Sequence, residues 1–280
     1  MWNSRKLIFA LFVLGALYAL IVQQFFKNES RFIIQTKAIE KEFVYSFNVE
    51  FQELNLPINQ SLSLHGIWFK HEKSKGIVLL FPDSDIDFKK IDISKSHYFK
   101  SGFDVLIPAY RSSAKSQGKL ESEEDLYSDA LNWLNFAKSQ FNEQEIIIVG
   151  QGLGTAVAAH LAGNNHPYLL VLESPYIVYS EQLSNRKFWF LPYNYFTKFP
   201  LKIAENVRKS RTKVILIHAE SEKEKKIQWS NNLKQIDVEL WIRDSKKISF
   251  SHNPENETIF NLLLDSIHFQ EQNTKLDFEN

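Results

Sequence analysis

The stretch Ile146-Ile147-Ile148-Val149-Gly150-Gln151-Gly152-Leu153-Gly154-Thr155-Ala156-Val157-Ala158-Ala159-His160-Leu161 decides the fold. Four β-branched aliphatic residues in succession read as a strand buried on both faces. Gly150, Gly152 and Gly154 then mark a sharp turn, and a helix begins inside that turn and runs to Leu161, where Gly163-Asn164-Asn165 stops it. A strand, a tight turn and a helix in immediate succession form the unit from which parallel sheets with crossover helices are built.

Similar apolar runs recur on both sides of it, at Ile77 to Phe81, Val105 to Ile107, Leu169 to Leu172, Val214 to Ile217 and Val238 to Ile242. Helix-length segments separate them. The fold class is therefore α/β, a mostly parallel central sheet with helices on both faces. One crossover helix is well marked, with Ser122 as N-cap, Glu123-Glu124-Asp125 in the first turn, Leu126, Ala130, Leu134 and Ala137 on one face, and an end near Gln140. A last helix is expected from about Pro254 to His268. Ahead of the parallel strands, alternation in Phe47-Asn48-Val49-Glu50-Phe51 and Leu62-Ser63-Leu64-His65, with Pro57-Ile58-Asn59 between, reads as two paired strands in which His65 is structural.

One segment breaks the rhythm. Pro175 to Pro200 is longer than an ordinary connection and carries Tyr176, Tyr179, Phe188, Trp189, Phe190, Tyr193, Tyr195, Phe196 and Phe199. It reads as part of a cap, residues 175–212, over the carboxyl ends of the strands, where open α/β sheets place their ligands. Two readings of these rings stay open: they pack the cap onto the core, or they meet a lipid or acyl ligand, a bilayer or a protein partner.

Thirty-three basic and 33 acidic side chains leave no net charge and no basic stripe, so nucleic acid is not an expected partner. The absence of cysteine excludes a disulfide framework and a thiolate nucleophile, and no HExxH, EF-hand or Walker pattern signals a metal or other cofactor. At the N-terminus Arg5-Lys6 precede an apolar stretch from Leu7 to Phe26, long enough to span a bilayer. A cleaved signal peptide is the competing reading, but no small-x-small pair closes the apolar run, so residues 7–26 are expected to remain as a single-pass signal anchor in the membrane. The body is expected on the extracytoplasmic side, with Arg5 and Lys6 inside. This divides the chain into a tail and anchor (1–27), a juxtamembrane linker (28–42), an α/β domain (43–270) and a C-terminal tail (271–280).

The glycine turn itself admits two functions. As a dinucleotide-binding turn it misses G-x-G-x-x-G in both registers, with Thr155 or Val157 at the last position, although Glu173 follows at the distance of a ribose-binding acid. As a nucleophile elbow, G-x-S-x-G, it has Gly152 where the serine belongs. The surrounding order favours the second. Ile77 to Phe81, Gly102-Phe103-Asp104-Val105 leading to Tyr110-Arg111, Ser116-Gln117-Gly118, Leu172-Glu173-Ser174-Pro175 and Ile215-Leu216-Ile217-His218 together resemble the α/β-hydrolase superfamily, most closely its membrane-anchored lysophospholipase and depalmitoylase-type serine hydrolases. The resemblance covers about residues 43 to 270.

What the resemblance implies is a degenerate triad at Gly152, Glu222 and His252, in the family's chain order. It also implies an altered oxyanion region at Pro82, Asp83 and Leu153, with Pro82-Asp83 where the family has His-Gly. Glycine cannot form an acyl-enzyme, and a carboxylate beside a developing oxyanion repels it unless it turns away. Glu222 also reads as a solvated loop charge and His252 as a surface histidine. Ser84, Ser174, Ser113 and Ser116 are the remaining serines near the strand ends, and none lies at an elbow. The expectation is a pseudo-hydrolase with a binding, scaffolding or regulatory role. An ester or thioester hydrolase using another nucleophile or activated water is the alternative, and a nucleotide-binding α/β protein a lesser one.

Overall fold

The computed structural model describes residues 4–165, 167–175, 190–219, 230, 233 and 238–242. Eight strands form one sheet: β1 (Phe51–Asn59), β2 (Leu62–Phe69), β3 (Ile77–Phe81), β4 (Asp104–Pro108), β5 (Ile146–Gln151), β6 (Leu169–Glu173), β7 (Lys213–Ala219) and β8 (Val238–Ile242). Their order is β1-β2-β4-β3-β5-β6-β7-β8. β1 and β2 are antiparallel, β2 meets β4 antiparallel, and every pairing from β4 to β8 is parallel.

The apolar runs behave as two-faced strands should. All five residues of β3, β4 and β6 are buried. Alternate side chains feed two cores: Leu79, Ile148 and Leu172 pack under the helices Glu123–Gln140 and Gly154–Asn164, while Val78, Val149 and Val171 face the opposite layer with Tyr98 and Phe88. Ser122 and Asp125 make a capping box that starts the first of these helices, which ends at Gln140 as its apolar face predicts.

The first hairpin differs in register from the expected one. Pro57 and Ile58 lie inside β1 rather than between strands, residues 43–50 form no strand, and the chain turns at Asn59-Gln60-Ser61, where Ser61 N–H donates to Asn59 Oδ1 at 2.9 Å. β1 is an edge strand, so the N–H that Pro57 lacks has no neighbour to serve. His65 on β2 is fully buried, with Nε2 3.3 Å from Glu53 Oε1 and its ring stacked on Tyr45. Burial pushes its pKa down to about 4, against the pull of Glu53, so it is a neutral core histidine near neutral pH.

The helix Ser4–Lys27 is long and apolar enough to cross a membrane. Its final turns touch the body: Tyr18 O–H donates to the Phe190 carbonyl at 2.8 Å, and Phe26 packs with Leu191 and Tyr193. The linker after it continues along the carboxyl edge of the sheet, where Ile39 N–H donates to Ala114 O at 2.6 Å and Ala114 N–H to Lys37 O at 3.0 Å.

Candidate functional site

The parallel strands direct their carboxyl ends to one edge, and three turns converge there. The turn after β5 carries Gly152 at φ +52°, the left-handed conformation that a side chain adopts only with strain. Its N–H donates to Glu173 O at 3.1 Å, and its carbonyl accepts from Thr155 N–H at 3.1 Å and Thr155 Oγ1 at 2.6 Å. Gly154, two residues on, lies so close to β3 that a Cβ there would overlap the carbonyl oxygen of Phe81. The backbone of an elbow is thus intact in every respect but its side chain.

The turn after β3 supplies what the elbow lacks in volume. Asp83 Oδ1 accepts the N–H of Leu153 at 2.9 Å and that of Ser84 at 2.7 Å. A Cβ built on residue 152 would overlap the carboxyl carbon and both oxygens of Asp83. The carboxylate therefore sits where an elbow side chain would project, and it occupies the N–H that follows the elbow, the donor that would face an oxyanion. Asp83 has not turned away from the turn after β5 but is held against it. Tyr110 O–H donates to Pro82 O at 2.7 Å and fixes this turn from below.

A third contact holds it from the linker. Ser84 O accepts from Gln35 N–H at 2.9 Å, Thr36 N–H at 2.7 Å and Thr36 Oγ1 at 2.8 Å. The segment after the N-terminal helix is therefore tied to the residue next to Asp83, a contact for which the sequence offers no signal.

The other candidates separate clearly. Ser84 is buried in the plugged turn, and Ser174 follows β6 at φ +52° with its N–H on Ile217 O at 2.8 Å. Ser113 donates its hydroxyl to Tyr110 O at 2.7 Å, and Ser116 Oγ donates to Ala109 O at 2.9 Å while accepting His65 N–H at 2.8 Å. These two hydroxyls shape the loop after β4. Arg111 anchors the same loop with two bonds to Asp129, both 2.8 Å, and one to Asp125 at 2.7 Å. Glu222 and His252 lie outside the described residues, as does the last helix.

Sequence reasoning missed a buried acid pair of contacts beside the elbow. Glu173, 3% exposed, accepts Tyr98 O–H at 2.7 Å and Gln151 Nε2 at 3.0 Å. Burial and the neighbouring Glu173 carboxylate push the Tyr98 phenol well above its usual range, so it stays a donor. Glu173 was legible only as a ribose-binding acid, and its partner comes from a short helix, His97–Lys100, that has no motif. With Glu173 turned inward to these donors and Leu153 N–H taken by Asp83, the turn offers a phosphate no open cradle. Among the described residues no group of three potential ligands could hold a metal ion.

No sequence profile of a known family matches the chain, and no curated protein matches it by sequence. Solved structures do match. An esterase of Pyrococcus furiosus is 16% identical with a TM-score of 0.62, over 83% of this chain and 97% of that one. An alpha-beta hydrolase of Vibrio vulnificus is 19% identical with a TM-score of 0.61, over 78% and 81%. Esterase 2 of Thermogutta terrifontis is 12% identical with a TM-score of 0.55, over 83% and 97%. Together with the strand order and the elbow-shaped turn after β5, these likenesses give the chain the fold of the α/β-hydrolase superfamily.

Proposed function

We propose that this is a membrane-anchored α/β-hydrolase-fold protein that has given up serine-hydrolase chemistry and serves a binding, scaffolding or regulatory role. The observation that carries the reading is Asp83 on Leu153 N–H, in the space above Gly152. Acyl transfer on this fold needs an oxygen nucleophile at the elbow and free donors for the tetrahedral oxyanion. Here the first is missing, and Leu153 N–H, one of the second, is taken by Asp83 Oδ1. In this reading residues 7–26 anchor the chain, the basic pair Arg5-Lys6 stays on the cytoplasmic side and the body lies outside.

The experiment is a fluorophosphonate probe on the full-length protein in detergent micelles, read by intact mass. No adduct is expected, and stoichiometric labelling of any serine overturns the reading. Because activated water would escape that probe, a screen of nitrophenyl esters and thioesters accompanies it, with His252→Ala as control; turnover abolished by that substitution also overturns it.

One observation favours a second reading. The Asp83 carboxylate lies where a nucleophile's side chain would, so it could attack an ester carbonyl, release the alcohol and form an anhydride that water then cleaves. Against it, the Leu153 N–H that holds Asp83 Oδ1 cannot at the same time bind the substrate's oxyanion. Asp83→Asn separates the two, because it removes the nucleophile while keeping an acceptor for Leu153 N–H, and any ester turnover that it abolishes belongs to Asp83.

A further inference from the structure

The cap segment 190–199 and the anchor helix are one packed unit. Tyr18 bonds the Phe190 carbonyl, Phe25 and Phe26 each meet the Tyr193 ring at 5.7 Å between centroids, and Phe26 meets Phe196 at 5.8 Å. Just beyond the helix, Glu29 is buried and accepts Thr197 Oγ1 at 2.5 Å and Lys198 N–H at 3.0 Å. The contacts run from Tyr18 to Glu29, so the cap lies along the helix for about 14 Å back from Lys27 at roughly 1.5 Å per residue.

Beside these contacts the same segment leaves large rings open to the outside. Tyr195 is 86% exposed, Phe196 56% and Phe190 42%. Three large rings on ten residues of chain form a patch that a water-facing surface has no reason to keep together. The patch adjoins the helix at Phe26, which meets Phe196; Leu14, Leu17 and Ile21 of the helix are also exposed, and basic Lys27, Arg31 and Lys198 lie exposed near its end. Aromatic rings with lysines and arginines at their border are the composition of a bilayer interface.

We infer that Phe190, Tyr195 and Phe196 are inserted in the leaflet nearest the body, so that the cap is a second, monotopic membrane element beside the spanning helix. This rests on the reading of residues 7–26 as a membrane anchor. If the helix spans, whatever packs along its last three turns shares their depth. The occupant of the patch is therefore lipid, and the carboxyl edge of the sheet, to which Lys198 O is tied by Glu123 N–H at 2.9 Å, faces that leaflet.

The chain has no cysteine, so a single introduced one is the only labelling site. Nitroxide is attached to Leu14→Cys, Tyr195→Cys, Phe196→Cys and Glu72→Cys variants of the full-length protein in phosphatidylcholine vesicles. Collision with oxygen is compared with collision with a neutral nickel chelate. Glu72 is exposed in the loop before β3, at the opposite edge of the sheet, and reports water. The oxygen-to-nickel ratio is expected to be severalfold higher at positions 14, 195 and 196 than at position 72. Positions 195 and 196 matching position 72, with position 14 high, overturns the inserted cap and leaves the anchor standing. A low ratio at position 14 as well overturns the anchor reading and the inference with it. Folding of each variant is verified by its far-ultraviolet dichroism, and should the cysteine at position 195 unfold the segment, the label at position 196 is read against positions 14 and 72 in its place.

Discussion

The turns after β5 and β3 meet over one point and contribute opposite things to it. The first contributes backbone alone, with Gly152 at φ +52° and Gly154 against β3. The second contributes a side chain, the Asp83 carboxylate, which takes up the space above Gly152 and accepts the Leu153 N–H. The lesson is that backbone geometry at an active site can be held by packing alone. Helix–strand approach fixes the turn after β5, whereas nothing but chemistry requires a particular side chain beside it.

The largest expected effect tests the packing half of this comparison. Gly154→Ala sets a methyl group against backbone carbonyls of Phe81 and Pro82, which cannot rotate away, and should cost more than about 4 kcal/mol or prevent folding. A variant with near-native thermal unfolding would show that the turn is not constrained by β3. A point outside both turns calibrates the core. His65 stays neutral in the folded chain down to about pH 4 but takes a proton near 6.5 when unfolded, so the unfolded state binds more protons in that window. Stability should be unaffected above pH 6.5 and fall, by on the order of 3 kcal/mol, as pH drops from 6.5 to 4. His65→Gln should flatten that part of the denaturation profile.

Gly152→Ser combines left-handed strain with overlap on Asp83, and about 2–3 kcal/mol of destabilisation is expected by chemical denaturation. Ester turnover should stay at background, because the added hydroxyl meets an occupied oxyanion site. Asp83→Ala strips the acceptor from Leu153 and Ser84 N–H and should cost about 1–2 kcal/mol, whereas Asp83→Asn keeps an acceptor oxygen and should cost under about 1. Equal effects from the two would mean that the hydrogen bonds do not hold the carboxylate. Smallest is Thr36→Val, which removes one of three donors on Ser84 O and should lower stability by about 0.5–1 kcal/mol while loosening the linker to proteolysis.

Much of this was legible in the sequence because it depends on local pattern. Runs such as Ile146 to Val149 are apolar on both faces only in a sheet covered twice, and Ser122 with Asp125 announces a helix start within one turn. The missing elbow serine and the altered Pro82-Asp83 were likewise readable from motif order. Left-handed conformations were less so: Ser112 and Ala114 in the loop after β4 adopt positive φ, 63° and 46°, without a glycine to announce them. Asp83, in the turn after β3, does not, and its side chain serves the site instead.

What could not be read were contacts between segments far apart in the chain. Nothing in Asp83 says that its oxygen reaches Leu153, 70 positions on, nor in Thr36 that it holds Ser84, nor in Glu29 that it binds Thr197. Pro57 reads as a turn residue because its missing N–H is costly in a central strand, and only the sheet order reveals the edge on which it is harmless.

The Asp83 carboxylate and a side chain at position 152 compete for one volume. A double-mutant cycle between Gly152→Ser and Asp83→Gly, read by denaturant unfolding of the protein in micelles, measures that competition. Gly152→Ser is expected to cost at least about 1.5 kcal/mol less when position 83 is glycine than in the native background. Additive effects, within about 0.5 kcal/mol, would mean that the two do not meet.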